Sequence, residues 1–195
     1  MMSLVPFRRL LVSCALVFAV ASMQSVVAHA AGVSGHAASS APPVPSAQPA
    51  DVSSIDAIMK AVYEVISGPK SGKRDWNRMR SLFVPGARLI AVHASKDGAN
   101  VARVLSVEDY IRVAGPLMAK EGFFERESHR TMDRFGDIAQ VFSTYESRHA
   151  ATEDKPFQRG INSFQLMFDG HRWWVVTIYW QGERPDAPIP KQYGG

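Results

Sequence analysis

Apolar residues recur at helical spacing in the first half of the chain and at strand spacing in the second. Ile55, Ile58, Met59, Val62, Val65 and Ile66 form one stripe of a helix that Ser53-Ser54 begin and Gly68-Pro69 end. Asp56 suits its first turn, where a carboxylate meets unpaired N–H groups. Asp75 caps a short second helix in which Trp76, Met79, Leu82 and Phe83 share a face, and Val84-Pro85-Gly86 stops it. Arg88–His93 alternates as a strand, Lys96–Asn100 is a loop, and Val101–Leu105 is a second short strand. Ser106 with Asp109 has the form of a capping box, opening a third helix through Ile111 and Leu117 toward Lys120, bent at Gly115-Pro116. From Phe123 the period becomes two: strands are predicted at Phe123–Phe135, Ile138–His149, Gly160–Phe168 and His171–Gln181. Gly136-Asp137 and Asp169-Gly170 read as two-residue hairpin turns. Helices followed by antiparallel strands predict an α+β domain with about three helices and six strands.

Residues paired across a hairpin share a face. With a two-residue turn at Asp169-Gly170, Leu166 faces Trp173, Phe164 faces Val175 and Asn162 faces Thr177, so one face is apolar near the turn and turns polar at Asn162, Thr177 and Tyr179. The other face carries Ile161, Met167, Trp174, Val176, Ile178 and Trp180 and is also apolar. One face packs under the helices, and the other predicts a second copy of the chain, a homodimer through the sheet. The Gly136-Asp137 hairpin sorts Phe124, Arg126, Ser128, Arg130 and Met132 with Val141, Ser143 and Tyr145 as the interior set. Glu125, Glu127 and His129 then lie outside with Glu146 and Arg148. A single β-bulge reverses such an assignment over part of a strand.

Composition adds an address. Arg8-Arg9, the apolar run Leu10–Ala21 and Ala28-His29-Ala30 have the order of a secretory signal over residues 1–30, cleaved near Ala30. The run is too short for a comfortable membrane span, so no stable membrane insertion is expected. Residues 31–50, rich in Ala, Ser and Pro, read as a disordered linker, residues 51–181 as the folded domain, and residues 182–195 as an irregular tail. A periplasmic or secreted protein is expected. Its one cysteine, Cys14, lies in the signal, so the mature chain has no disulfide, thiolate nucleophile or cysteine-bound metal. The 22 basic and 18 acidic residues fall to 20 and 18 without Arg8 and Arg9, a small excess that does not point to nucleic acid. Lys70-Ser71-Gly72-Lys73 lacks the glycine spacing and the hydroxyl residue of a phosphate-binding loop.

Three stretches carry a family resemblance: Asp75-Trp76 through Leu82-Phe83 with Pro85–Leu89, then Gly136–Val141, and Gly170–Val176. With the element order, residues 51–181 resemble the nuclear transport factor 2-like superfamily, which includes SnoaL-like cyclases and ketosteroid isomerases. Ser143–Glu146 and Arg159–Ser163 resemble uncharacterised exported bacterial members. The resemblance implies a cone of helices over a curved, mostly antiparallel sheet, a pocket at the open end, and commonly a dimer.

Tyr145, Asn162, Thr177, Tyr179, Ser128 and Arg130 project from the assigned interior face where it turns polar, and are the predicted ligand-binding residues. Satisfying one another and capping the core is their bland role. Glu125, Glu127 and His129, alternating along one strand, are an acid–base or metal-ligand candidate set. Residues two apart on a strand lie about 6.6 Å apart, awkward for three ligands on one ion, so no metal is expected. His93 and His149 end strands and could line a pocket mouth. No cofactor motif is present. The expectation is a domain binding a small, partly apolar molecule. The alternatives are a cofactor-free isomerase, dehydratase or hydrolase, and a structural dimerisation domain. An interior carboxylate or histidine within hydrogen-bond reach of Tyr145 favours the enzyme, an apolar cavity without such a pair favours the binder, and no cavity at all favours the structural domain.

Overall fold

The computed structural model describes residues 43–95 and 97–195. The expected signal and most of the expected linker lie outside the described residues. Within them the chain runs α1 (Pro49–Val52), α2 (Ile55–Ile66), α3 (Trp76–Leu82), β1 (Phe83–Ala94), β2 (Asn100–Leu105), α4 (Val107–Glu121), β3 (Phe124–Phe135), β4 (Ile138–Arg148), β5 (Gln158–Phe168) and β6 (Trp173–Gly182), closing with a short 3-10 turn at Lys191–Tyr193. The α+β expectation holds, with α1 as an added turn. Asp51 and Val52 in α1 are buried, and a bidentate pair from Arg78 to Asp51 ties α1 to α3.

The caps form as the side chains dictate. Ser54 Oγ accepts the N–H of Ala57, Asp75 that of Arg78, and Ser106 with Asp109 closes a reciprocal capping box on α4. Gly115 serves packing as well as bending: the place where its Cβ would stand is 3.1 Å from the Trp76 ring, so α4 can close onto α3. The Lys70–Lys73 loop is organised by Arg74, whose guanidinium donates to the carbonyls of Ile66, Gly68, Pro69 and Gly72.

All six strands form one open mixed sheet in the order β2-β1-β6-β5-β4-β3, antiparallel except for the β1–β6 pair. The apolar stripe of α2 lies on its inner face with Leu82, Phe83, Val141, Phe164, Leu166 and Val175, all 2% exposed or less. Burying each such side chain contributes about 1.5–3 kcal/mol.

Three local features correct the predicted pairing, and the second and third also reverse faces. The β5–β6 turn is four residues long, because Asp169 Oδ1 accepts the N–H groups of both His171 and Arg172, and pairing starts at Phe168 with Trp173. An irregularity at Val176, between the Leu166–Val175 and Gln165–Thr177 pairs, then reverses the rest of β6. Ile178 and Trp180 turn inward, while Thr177 and Tyr179, predicted to face the interior, lie on the outer face, Tyr179 48% exposed. A bulge at Ser128, between the Glu127–Tyr145 and His129–Thr144 pairs, does the same to the start of β3. Glu125 and Glu127 move inside, and Phe124, Arg126 and Ser128 leave the predicted interior set.

The tail after Gly182 is irregular but packed. It crosses the outer face, where Ile189 is buried, Tyr193 meets the Phe142 ring at 5.3 Å, and the carbonyls of Tyr193 and Gly194 accept from Thr144 Oγ1 and Arg159.

Candidate functional site

Between the helices and the inner face of the sheet lies a cavity of about 240 Å³. Its walls are apolar, with Val62, Met79, Phe83, Met118, Phe164 and Ile178 among them, and its polar groups converge from three directions. Tyr63 comes from α2, Tyr110 from α4, and Glu125, Tyr145, Ser147, Gln158 and Asn162 from β3, β4 and β5. An apolar hollow with a few aimed polar groups is the usual form of a small-molecule site.

Glu125 is the chemical centre. The Ser128 bulge turns it inward opposite Ser147, whose Oγ donates to Glu125 Oε2 at 2.7 Å. Asn162 Nδ2 donates to Glu125 Oε1 at 3.3 Å. No ion pair reaches Glu125 among the described residues, and it is only partly buried. Burial, which penalises the charged form, pushes its carboxyl up to about 7, against the opposing pull of the Ser147 and Asn162 hydrogen bonds. A carboxyl balanced between its two protonation states near neutrality can both take and give a proton.

Behind it runs a hydrogen-bonded ladder. Asn162 Nδ2 also donates to the Tyr63 hydroxyl at 3.2 Å, Tyr63 and Ser143 share a hydrogen bond of 2.7 Å, and Ser143 Oγ donates to Glu127. Glu127 in turn is held by Arg130, which reaches Asp56 on α2. The ladder therefore ends on an ion pair and fixes the Asn162 amide from both sides.

Tyr110 and Tyr145 differ from Tyr63. Both line the cavity, and neither hydroxyl has a hydrogen-bond partner among the described residues. Burial, then the negative charge of Glu125, raises both above the ordinary phenol range, so they stay protonated donors. Two free O–H donors and one carboxyl in an apolar chamber suit an oxygen acceptor on a bound molecule.

Of the residues predicted to contact a ligand, Tyr145 and Asn162 line this cavity. Thr177 and Tyr179 do not, for the reason given by Val176. Arg130 lines a separate cleft of about 470 Å³ between α2 and β3, which shares Tyr63 and Glu125 with the cavity. Ser128 is exposed at the bulge, its hydroxyl donating to the Thr144 carbonyl at 3.3 Å. Among the described residues no group of His, Cys, Asp and Glu is arranged to hold a metal ion. The predicted set of Glu125, Glu127 and His129 is divided by the bulge, two inward and one outward. Glu125 and Arg148, grouped on one outer face by the predicted register, are apart, since Arg148 faces Phe124 and binds Glu146.

Tyr63, Tyr110 and Ser147 escaped the sequence reading. Tyr63 follows Met59 by four positions on the α2 stripe, and Tyr110 precedes Ala114 and Met118 at the same interval, so both carried a helical-spacing signal.

No protein-family model matches the chain, and no curated protein matches it. Solved structures do. A protein of unknown function with a cystatin-like fold from Nostoc punctiforme superposes with a TM-score of 0.50 at 12% identity, over 70% of this chain and 92% of the other. An NTF-2 like protein of unknown function from Silicibacter pomeroyi gives 0.45 at 14% identity, over 67% and 94%. An NTF2-like protein of unknown function from Shewanella baltica gives 0.41 at 16% identity, over 67% and 98%. At these identities the likeness is one of fold.

Proposed function

We propose that this nuclear transport factor 2-like fold receives a small, largely apolar, uncharged molecule, and that Glu125 moves a proton on it without a cofactor, as an isomerase or dehydratase does. The observation that carries the reading is Glu125 itself: a partly buried carboxyl without an ion-pair partner among the described residues, at the wall of an apolar cavity, pushed up to about 7 by the burial it has. The same cavity supports the coarser statement, that the domain binds a small molecule.

Size narrows the ligand. About 240 Å³ lies below the roughly 300–1,000 Å³ of drug-sized pockets, so a molecule of one or two rings fits more readily than a steroid-sized tetracycle. Charge narrows it further, because the cavity lining has no cationic side chain to neutralise an anion. A cyclic ketone or enone meets both limits. The Glu125 carboxylate takes a proton from the carbon beside the carbonyl, that C–H pair of electrons moves into the enolate, and the protonated carboxyl returns the proton to the same or a conjugated carbon. The O–H groups of Tyr110 and Tyr145 supply donors for the enolate oxygen.

The test is deuterium uptake from D2O into 2-cyclohexenone and cyclohexanone, followed by NMR. The full chain accelerates uptake over buffer, and Glu125→Gln returns it to the buffer rate. Uptake that Glu125→Gln leaves unchanged removes the proton-transfer reading, and ketone binding with no acceleration leaves a binding domain.

Export with cleavage near Ala30 belongs to the same proposal, supported by the order of residues 1–30 and the absence of cysteine after Cys14. A homodimer through the outer sheet face is likewise proposed, over the strands the tail leaves open. A single-copy mass at every concentration in sedimentation rules it out.

A further inference from the structure

The cavity is open to solvent over part of its surface. Most of its lining is buried, and the partly exposed lining residues include Tyr110, Phe123, Glu125, Gln158 and Trp180, with the Tyr110 ring edge-on to Trp180 at 6.3 Å. One residue there is far more open than the rest. Phe157 lines the cavity and is 50% exposed, so a single ring has one side toward the chamber and the other toward water.

What holds that ring is a stack. Phe157 lies face to face with the His149 imidazole, centroids 4.2 Å apart and planes 13° from parallel, and edge-on to Phe123 at 6.3 Å. These residues come from the two ends of the β4–β5 loop and from the α4–β3 junction. Their backbones are pinned. The Phe157 N–H donates to the Ser147 carbonyl at 2.9 Å, the His149 N–H to Glu153 at 2.9 Å, and Phe123 exchanges both backbone hydrogen bonds with Gly68 at 2.7 and 3.0 Å. Gly122 has no room for a side chain against the His149 carbonyl, which clamps the junction to the end of β4. With the backbones fixed and the ring half in water, rotation of the Phe157 side chain is the local motion with least to break.

We propose that Phe157, braced by His149, is the gate residue of the cavity: its ring blocks the mouth and swings out to admit a ligand. This rests on the cavity of the preceding section and not on the chemistry assigned to Glu125. A gate has a kinetic signature that a wall lacks. A group that blocks the way in blocks the way out equally, so removing it raises association and dissociation rates by one factor and leaves the equilibrium in place. Removing a wall residue costs contact with the bound ligand and shows in dissociation alone.

Benzene is the probe, being flat, uncharged and small enough for an apolar chamber of this size. Its exchange with the full chain is followed by NMR. In Phe157→Ala and His149→Ala both rate constants rise by at least about tenfold while Kd stays within about threefold. In His149→Phe the stack survives and the rates stay those of the native chain. Because Phe157 is half exposed, its truncation leaves the fold intact, which circular dichroism checks. Unchanged rates in Phe157→Ala overturn the proposal, as does a weaker Kd with an unchanged association rate. Equal behaviour of His149→Phe and His149→Ala overturns the bracing role. Failure of benzene to bind either protein overturns the gate together with its cavity. Benzene has no acidic proton for Glu125 to move, so its exchange rates test the gate while deuterium uptake into the ketones tests the chemistry, and either proposal can fail without the other.

Discussion

Tyr145 pairs with Gly160 across β4 and β5, and its hydroxyl occupies the space where a side chain on Gly160 would begin. Glycine in a strand interior normally costs about 0.5–1 kcal/mol relative to alanine. Here it is required by a close approach, and the Gln181 carbonyl crowds the same point from the other side. Gly160→Ala is therefore expected to destabilise the domain by about 1–3 kcal/mol, as overpacking does, and to push the Tyr145 hydroxyl from the cavity. Urea denaturation measures the first effect. A variant as stable as the native chain means that Tyr145 does not sit over Gly160.

Glu125 makes stability depend on pH in the direction opposite to most carboxylates. Its folded value of about 7 stands above the ordinary 4.5, so the folded state holds a proton that the unfolded state has lost. The contribution is complete below pH 4.5 and disappears as pH rises to about 7, after which it is flat. The whole interval corresponds to at most about 3 kcal/mol. Glu125→Gln stays neutral at every pH, so denaturation midpoints of the native chain and of Glu125→Gln, compared from pH 4.5 to 8, are expected to lie closest at pH 4.5 and to diverge as pH rises and the native chain alone loses stability. Parallel profiles contradict the assigned burial of the carboxyl.

Tyr145→Phe and Asn162→Ala each remove a polar group from the cavity wall. The structure divides them. Tyr145 loses a hydroxyl that no described residue engages, so Tyr145→Phe changes stability by no more than about 0.5 kcal/mol. Asn162→Ala strips a donor from both Glu125 and the Tyr63 hydroxyl inside the domain and costs about 1–3 kcal/mol. Thermal unfolding of the two variants decides between equal and unequal cost.

Helices and strand positions were legible because each rests on local chemistry: Ser54, Asp75 and Ser106 cap where caps are expected, and the α2 stripe is buried as its spacing requires. The fold class and the nuclear transport factor 2-like resemblance followed from the order of those elements. The site was legible only in part. Tyr145 and Asn162 lie on regular stretches of β4 and β5, where alternation holds. Thr177 and Tyr179 lie beyond Val176, and Glu125 beyond Ser128, where one unpaired residue reverses the alternation. Neither irregularity leaves a mark in composition, since Ser128 and Val176 are ordinary strand residues. The four-residue turn, by contrast, had a visible cause in the Asp169 side chain, which caps two N–H groups.

The Ser128 bulge has a consequence for how such a chamber acquires its chemistry. Removing that one residue restores the regular ladder and exchanges the inward pair, replacing Glu125 with Phe124 or Arg126 according to how the strand resettles. The acidic character of the chamber thus depends on the number of residues in β3 as much as on their identity. A single codon lost or gained would turn an acid-lined chamber into a greasy or cationic one, with every other side chain unchanged.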